Sequence, residues 1–291
     1  MDQTSNAFGV FPDLPTRHFQ AQQTLHEIGA LPLNSLTPLS PLLKVEGLSL
    51  TFGGVQAIAD LSLEVYPGEV LAVIGPNGAG KTSLLNAVTR VFDASGGTIF
   101  YNNQNLALLQ RHQIANLGIA RTFQNIELFD SATVLQNLLL GRNRFFQGHW
   151  WQQVLRTPSL TRLEESAYEA VEEVIDFLDL SPWRHTLITG LPYGVRKVVE
   201  LGRALCAKPD LLFLDEPASG LNPEETRDLA FWIDDIRSEL GITVVMVEHD
   251  MSLVSAVADR VICMAQGRVL AQGTPSDVQS HPAVIAAYLG A

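Results

Sequence analysis

The stretch GPNGAGKT, Gly75–Thr82, constrains the fold more than any other part of the chain. It follows the apolar run EVLAVI and precedes KTSLLNAVTRVF, which has the spacing of a helix. A glycine-rich turn between a buried strand and a helix directs backbone N–H groups and the helix dipole at a polyphosphate. The pattern therefore predicts a phosphate loop in which Lys81 reaches the β- and γ-phosphates and the Thr82 hydroxyl binds Mg²⁺.

The predicted nucleotide site spans this loop and the first helical turn. We expect it to contain Gly75, Pro76, Asn77, Gly78, Ala79, Gly80, Lys81, Thr82 and Ser83.

Two further apolar runs end in residues suited to phosphate chemistry. LLFLDEP ends in Asp215, which can hold Mg²⁺ directly or through water, and in Glu216, which can polarise an attacking water. The alternative for this acid pair is a helix N-cap, because NPEE follows nearby. VVMVEHD ends in His249, whose imidazole can sense a γ-phosphate, although a lone histidine is more often structural.

The order of the patterns predicts an α/β fold. LKVEGLSLTF and VQAIADLSLEV alternate around the turn GG, as antiparallel strands do, and later strands and helices alternate as in a mainly parallel sheet. Residues 125–205 are mostly helical in pattern, and we interpret them as a helical lobe. Residues 1–42 contain scattered proline and serine and are predicted to be an irregular extension, so residues 43–291 form the main domain.

Composition excludes several classes of protein. The formal net charge is −12, which disfavours a broad contact with nucleic acid. The longest apolar runs are much shorter than the roughly 18 residues of a membrane span, and the first residues do not have the pattern of a secretory signal. Cys206 and Cys263 lie in apolar contexts and are predicted to be reduced core residues, which fits a cytoplasmic location.

Together these motifs resemble the ATP-binding subunits of ABC transporters, over residues 43–290. The resemblance implies a phosphate-loop core with an antiparallel β subdomain and a helical lobe. It implies that Phe52 stacks on adenine, although packing is an alternative, and that Gln124 in RTFQN contacts Mg²⁺ and the lytic water. It also implies a loop across a dimer interface, formed by Ser219, Gly220, Leu221 and Asn222.

The stretch LPYGV stands where that family has its signature, usually Leu-Ser-Gly-Gly-Gln. Pro192 has neither an N–H nor a hydroxyl group, so one phosphate donor is lost. Gly194 and a following helix start remain, so we predict that Tyr193, Gly194 and Val195 still contact the ATP bound by a partner subunit. Lys81 and the predicted catalytic residues are all present, which favours an active ATPase.

The combination of LPYG with RTFQN, DEPASGLNPEE, VEHDM and AYLG resembles the ATPases of branched-chain amino acid importers. The resemblance implies a second ABC ATPase subunit, identical or similar, two transmembrane permease subunits and, indirectly, a periplasmic binding protein. It places the chain at the cytoplasmic face of the inner membrane, with ATP and Mg²⁺ as its ligands.

Three alternatives remain open: an importer of urea or short amides, a soluble ABC ATPase, and a kinase or GTPase with a phosphate loop. The permease contact is predicted to be a groove near Gln124. Aromatic residues are expected to line it, with core packing as the alternative: Phe129, Phe145, Phe146, Trp150 and Trp151.

Overall fold

A computed structural model of the chain describes residues 40–145 and 158–289. Within these ranges the strands are β1 Leu43–Phe52, β2 Val55–Val65, β3 Val70–Ile74, β4 Gly96–Tyr101, β5 Gln104–Asn105, β6 Ile119–Arg121, β7 Leu211–Asp215, β8 Thr243–Val247, β9 Arg260–Ala265 and β10 Arg268–Gly273.

The helices of the same ranges are α1 Lys81–Val88, α2 Arg111–Ile114, α3 Val134–Gly141, α4 Pro158–Phe177, α5 Tyr193–Cys206, α6 Pro223–Ser238, α7 Met251–Val257, α8 Pro275–Ser280 and α9 Pro282–Leu289. Between 125 and 205 the described elements are α3, α4, all of α5 except its last residue, and short 3₁₀ turns.

The first sheet is antiparallel, in the order β2-β1-β4-β5. The central strand β1 pairs Leu43 with Val65 on one side and with Tyr101 on the other. Its buried residues include Leu43, Val45, Leu48 and Leu50, so one face packs on the core. The predicted antiparallel strands are therefore confirmed.

The second sheet has the order β10-β9-β3-β8-β7-β6. Its strands are parallel except β10, an antiparallel edge strand that the sequence analysis did not predict. Every residue of β3, β7 and β8 is buried, which explains their continuous apolar runs. Since β8 lies between β3 and β7, the phosphate loop, Glu216 and Glu248 follow the carboxyl ends of three adjacent strands.

Helix α1 ends at Val88, four residues before the end of the predicted helical pattern. Arg90 adopts a positive φ of 56°, which stops a helix. Its guanidinium donates to the carbonyl oxygens of Leu106, Ala107 and Leu109, so tertiary contacts hold the chain in this conformation.

Helix α4 contains the apolar pattern predicted for this region. Ala167, Ala170 and Val171 are buried, and Leu178 just beyond the helix is buried as well. In the described ranges, no helix combines the length and apolar character needed to cross a membrane.

Both cysteines are free and buried, as predicted. Burial raises the pKa of the Cys206 thiol to about 12 and also raises the pKa of Cys263. Each therefore stays protonated at neutral pH and behaves as a small apolar side chain.

Candidate functional site

The phosphate loop connects β3 to α1, and its shape requires glycine at two closely packed positions. Gly75 and Gly80 have φ values of 146° and 100°. A Cβ atom at Gly75 would lie 2.1 Å from the carbonyl oxygen of Met264, and one at Gly80 would lie 2.5 Å from that of Ala57. Because both obstacles are backbone atoms, a larger residue at either position must displace the loop.

Lys81 begins α1 and folds back onto this loop. Its ammonium donates to the carbonyl oxygens of Gly75 at 2.7 Å and Pro76 at 3.2 Å. Burial lowers the pKa of Lys81, whereas the nearby carboxylates of Glu216 and Asp215 act in the opposite direction. Gly80 is the N-cap of α1 and provides no side-chain acceptor, so the first helical N–H groups remain suited to an anion.

Asp215 ends β7 and is almost completely buried. One oxygen, Oδ2, accepts a hydrogen bond from Arg121 Nη2 at 2.7 Å. Arg121 Nη1 in turn donates to Asn86 Oδ1 on α1 at 2.7 Å, so the arginine links the helix after the phosphate loop to the acidic strand. Arg121 is not among the predicted site residues, although its place at the end of β6, directly before the TFQN segment, was a possible signal.

The other oxygen of Asp215, Oδ1, is buried and has no hydrogen-bond partner among the residues that the structure describes. A buried carboxylate oxygen without a donor is unfavourable unless a ligand or water completes it. Mg²⁺ prefers carboxylate oxygens and retains much of its coordination for water and phosphate. Among residues 40–145 and 158–289, no three His, Cys, Asp or Glu side chains form a metal cluster.

Glu216 and Gln124 meet at this edge of the sheet although 92 positions separate them. Gln124 Nε2 donates to Glu216 Oε2 at 2.8 Å. Glu216 has a φ of 49°, an uncommon conformation for a residue with a side chain, and its N–H donates to Val247 O. Strained backbone of this kind often occurs at functional sites, where surrounding contacts hold it in place.

His249 lies just beyond β8, and its side chain is 61% exposed. Its Nδ1 is 3.6 Å from Glu248 Oε2. Glu248 is fully buried and accepts hydrogen bonds from the backbone N–H groups of Ala218, His249 and Asp250. Glu248 therefore ties the segment after Glu216 to the segment of His249, a structural role that the sequence analysis did not assign.

The altered motif at the start of α5 contacts the predicted interface loop of the same chain. The Tyr193 hydroxyl donates to Ser219 O at 3.2 Å. A Cβ atom at Gly220 would lie 2.7 Å from the Tyr193 ring, so only glycine permits this approach. Tyr193 thus joins the helical lobe to the loop that follows Glu216.

Gly194 and Val195 are buried within the chain. A Cβ atom at Gly194 would lie 2.3 Å from Glu225 Oε1 on α6, and Val195 has no exposed surface. The Val195 side chain therefore faces its own core, and Gly194 and Val195 have only backbone groups to offer to the predicted contact with a partner's ATP. Pro192 is the N-cap of α5 and makes no side-chain hydrogen bond, which leaves the first-turn N–H groups suited to that contact.

Asn222 is the N-cap of α6, where its side chain accepts hydrogen bonds from the N–H groups of Glu224 and Glu225. Glu225 completes a capping box through the Asn222 N–H. The cap considered for Asp215 and Glu216 is therefore made by Asn222 instead.

Phe52 lies at the end of β1 and is 41% exposed. Its ring meets Phe92 edge-on, with centroids 4.9 Å apart. The two rings form a half-exposed aromatic surface of the kind on which a base stacks. Phe92 was missed in the sequence analysis, which read it as part of a helix.

A groove of about 520 Å³ lies beside the Gln124 segment. Phe123, Leu140 and Arg203 are among its lining residues. Phe129 and Phe145 are exposed rather than packed in the core, but neither lines this groove, and their contact with a permease stays a prediction. Phe146, Trp150 and Trp151 lie outside the described residues.

Comparison with known sequences gives a consistent result over the whole domain. Residues 58–219 match the family model of the ABC transporter, and residues 268–291 match that of the branched-chain amino acid ATP-binding cassette transporter. The chain is 40% identical over 250 residues to the high-affinity branched-chain amino acid transport ATP-binding protein LivG of Escherichia coli, covering 86% of this chain and 98% of LivG. It is 39% identical to the corresponding protein BraF of Pseudomonas aeruginosa, with the same coverage.

Solved structures agree with the fold. A nucleotide-free ATP-binding cassette from an ABC transporter superimposes with a TM-score of 0.76 at 29% identity, covering 87% of this chain and all of the other. The ADP conformation of an ATP-binding cassette gives the same score and coverage.

Proposed function

We propose that this chain, which belongs to the ABC transporter family and hydrolyses ATP, powers the import of branched-chain amino acids through a pair of permease subunits. The observation that carries the proposal is the 40% identity to LivG over nearly the full length of that protein. The match of residues 268–291 to the branched-chain amino acid cassette family supports the same solute class.

In the proposed site, the phosphate loop and Lys81 bind the polyphosphate of ATP, and Phe52 stacks on the adenine. Glu216 polarises the attacking water, and Gln124 holds the Glu216 carboxylate through the 2.8 Å hydrogen bond. His249 follows β8, the strand next to β7, and its exposed ring contacts the γ-phosphate when it turns toward the site. Positioning and charge neutralisation supply most of the catalysis in such a reaction.

We further propose that Mg²⁺ accompanies ATP. The partnerless oxygen of Asp215, the Thr82 hydroxyl and the Gln124 amide would hold it, directly or through water. When bound, the ion neutralises charge that develops on the phosphate oxygens. Arg121 fixes the second Asp215 oxygen and so orients the free one.

The active form in this proposal is a head-to-tail pair of ATPase subunits, either identical or similar. The first turn of α5, at Tyr193–Val195, meets the ATP bound by the partner, and Ser219–Asn222 lie across the interface. Backbone N–H groups make the contact to phosphate, because the Val195 side chain is buried. A periplasmic binding protein delivers the solute to the permeases.

The permease is proposed to dock in the groove lined by Phe123 and Leu140. This groove adjoins the Gln124 segment, so docking can be coupled to the hydrolytic pair. A docked permease places the subunit at the cytoplasmic face of the inner membrane.

Uptake of labelled solutes tests the proposal. Cells that depend on this chain and its permeases should accumulate labelled leucine with the wild-type chain and not with Lys81→Ala. Labelled urea or acetamide taken up in place of leucine would assign the chain to the urea or short-amide importers. Uptake of labelled leucine that does not require the permeases would contradict the proposed transport through a permease pair.

A further inference from the structure

We propose that Lys197 is a positioning residue for ATP hydrolysis, which holds the backbone of Gln124 so that the Gln124 amide stays on Glu216 of the same chain. The helix of the altered motif would then act on its own subunit's site as well as on the partner's ATP. This inference rests on the catalytic roles proposed above for Gln124 and Glu216.

The first observation is the environment of Lys197. Its side chain is only 8% exposed, and its ammonium donates to Gln124 O at 3.2 Å. Burial lowers the pKa of Lys197, and the carboxylates of Glu200 and Glu248 act in the opposite direction. A buried ammonium is unfavourable unless it is hydrogen-bonded. The hydrogen bond to Gln124 O therefore takes the place of solvent and gives the Lys197 side chain a defined partner.

The second observation is that α5 holds the same loop at two further points. Glu200 Oε1 accepts from the N–H of Phe123 at 3.3 Å, and Arg203 Nη1 donates to Glu127 O. Lys197, Glu200 and Arg203 are spaced three residues apart, so they lie along one face of the helix. The loop is thus fastened on both sides of Gln124, and Lys197 supplies the contact at Gln124 itself.

The third observation is that no strand or helix fixes the backbone of Gln124. It is exposed and lies in the segment between β6 and α3, outside any strand or helix. The 2.8 Å hydrogen bond from its amide to Glu216 therefore depends on where the backbone is held. Lys197 also lies 6.0 Å from the centroid of the Tyr193 ring, which connects this contact to the residue that bonds to Ser219 O.

Steady-state ATPase kinetics of the full chain assembled with its transporter partners test the inference, with MgATP as substrate. In Lys197→Met, kcat should fall about tenfold or more, because small misplacements of catalytic groups are costly. KM for ATP should change by less than about twofold, since the phosphate loop is untouched. Lys197→Arg should restore part of kcat, and Lys44→Met, at a half-buried position on β1, serves as the control that leaves both constants unchanged.

A double-mutant cycle separates positioning from a general structural effect. In a Gln124→Ala background, which retains the backbone carbonyl, Lys197→Met should lower kcat by less than about a further twofold. If the losses of kcat from Lys197→Met and Gln124→Ala multiplied in the double variant, the inference would be overturned. An effect of Lys197→Met on KM alone would overturn it as well. If Lys197→Met does not fold, Lys197→Gln replaces it, because its amide is too short to reach Gln124 O and should give the same loss of kcat.

Kinetics of the single variants separate the role of Gln124 from that of Lys197. Wild-type turnover in Gln124→Ala would remove the proposed role of Gln124 and this inference with it. Impaired Gln124→Ala together with wild-type Lys197→Met would overturn only the role of Lys197.

Discussion

The phosphate loop and the altered motif both begin a helix without a side-chain cap, yet different forces shape them. In the phosphate loop, Gly75 and Gly80 have positive φ and lie against backbone carbonyls. In the motif, Gly194 has no positive φ and is limited by the Glu225 side chain. Backbone geometry determines the first region, so a substitution there must displace the loop, whereas side chains that can adjust determine the second.

The largest expected effect lies in the phosphate loop. Lys81→Ala should weaken ATP binding or slow turnover by at least about a hundredfold, because the phosphates lose a preorganised cation. Titration calorimetry with MgATP measures the affinity, and Lys44→Ala is the matched control. Near-normal ATP affinity together with normal ATPase activity in Lys81→Ala would remove the phosphate-loop assignment.

Alanine at the two glycines compares the regions directly. Gly80→Ala should weaken ATP binding about tenfold or more, since strain of about 1–3 kcal/mol arises at a left-handed residue that also meets a carbonyl. Gly194→Ala should leave the intrinsic affinity of the free subunit for ATP unchanged. Equal losses of affinity at the two positions would contradict the distinction between backbone and side-chain control.

Stability should show how the second region adjusts. Gly194→Ala pushes on Glu225 and weakens the capping box of α6, so we expect a loss of about 1 kcal/mol of unfolding free energy. In a Glu225→Ala background the same substitution should be neutral or stabilising, because alanine favours a helix over glycine. Denaturant unfolding of the four proteins checks this, and equal losses in both backgrounds would mean that Glu225 is not the obstacle.

The smallest effect is expected for Tyr193→Phe. The change removes only the hydrogen bond to Ser219 O, a contribution of about 0.5–1 kcal/mol, and keeps the ring on Gly220. Thermal unfolding should show a small decrease in Tm for Tyr193→Phe. Tyr168→Phe, at an exposed position on α4, should leave Tm unchanged. A loss several times larger would indicate that the hydroxyl does more than bind Ser219.

The same comparison explains what the sequence could predict. The roles of GPNGAGKT and LLFLDEP and the alternation of strands and helices follow from local patterns, because buried strands and glycines packed against backbone leave a strict residue signature. The antiparallel sheet and the mainly parallel sheet were therefore predicted correctly, apart from the two edge strands β6 and β10.

Contacts between distant side chains could not be predicted in this way. Arg121 on Asp215, Glu248 on Ala218 and Lys197 on Gln124 each join segments far apart in the chain. Polar residues at such positions look like ordinary surface residues until the fold brings their partners together. The early end of α1 has the same origin, since the Arg90 contacts that hold it come from residues 106–109.

The central claim is that the phosphate loop, Gln124 and Glu216 form one hydrolytic site, and single-turnover hydrolysis by Glu216→Gln tests it most directly. The variant keeps the size of the side chain and removes the carboxylate. It should bind MgATP with the wild-type affinity and hydrolyse it at least about a hundredfold more slowly, so that ATP and not ADP is recovered from the protein. Hydrolysis at the wild-type rate, or loss of ATP binding, would contradict the account.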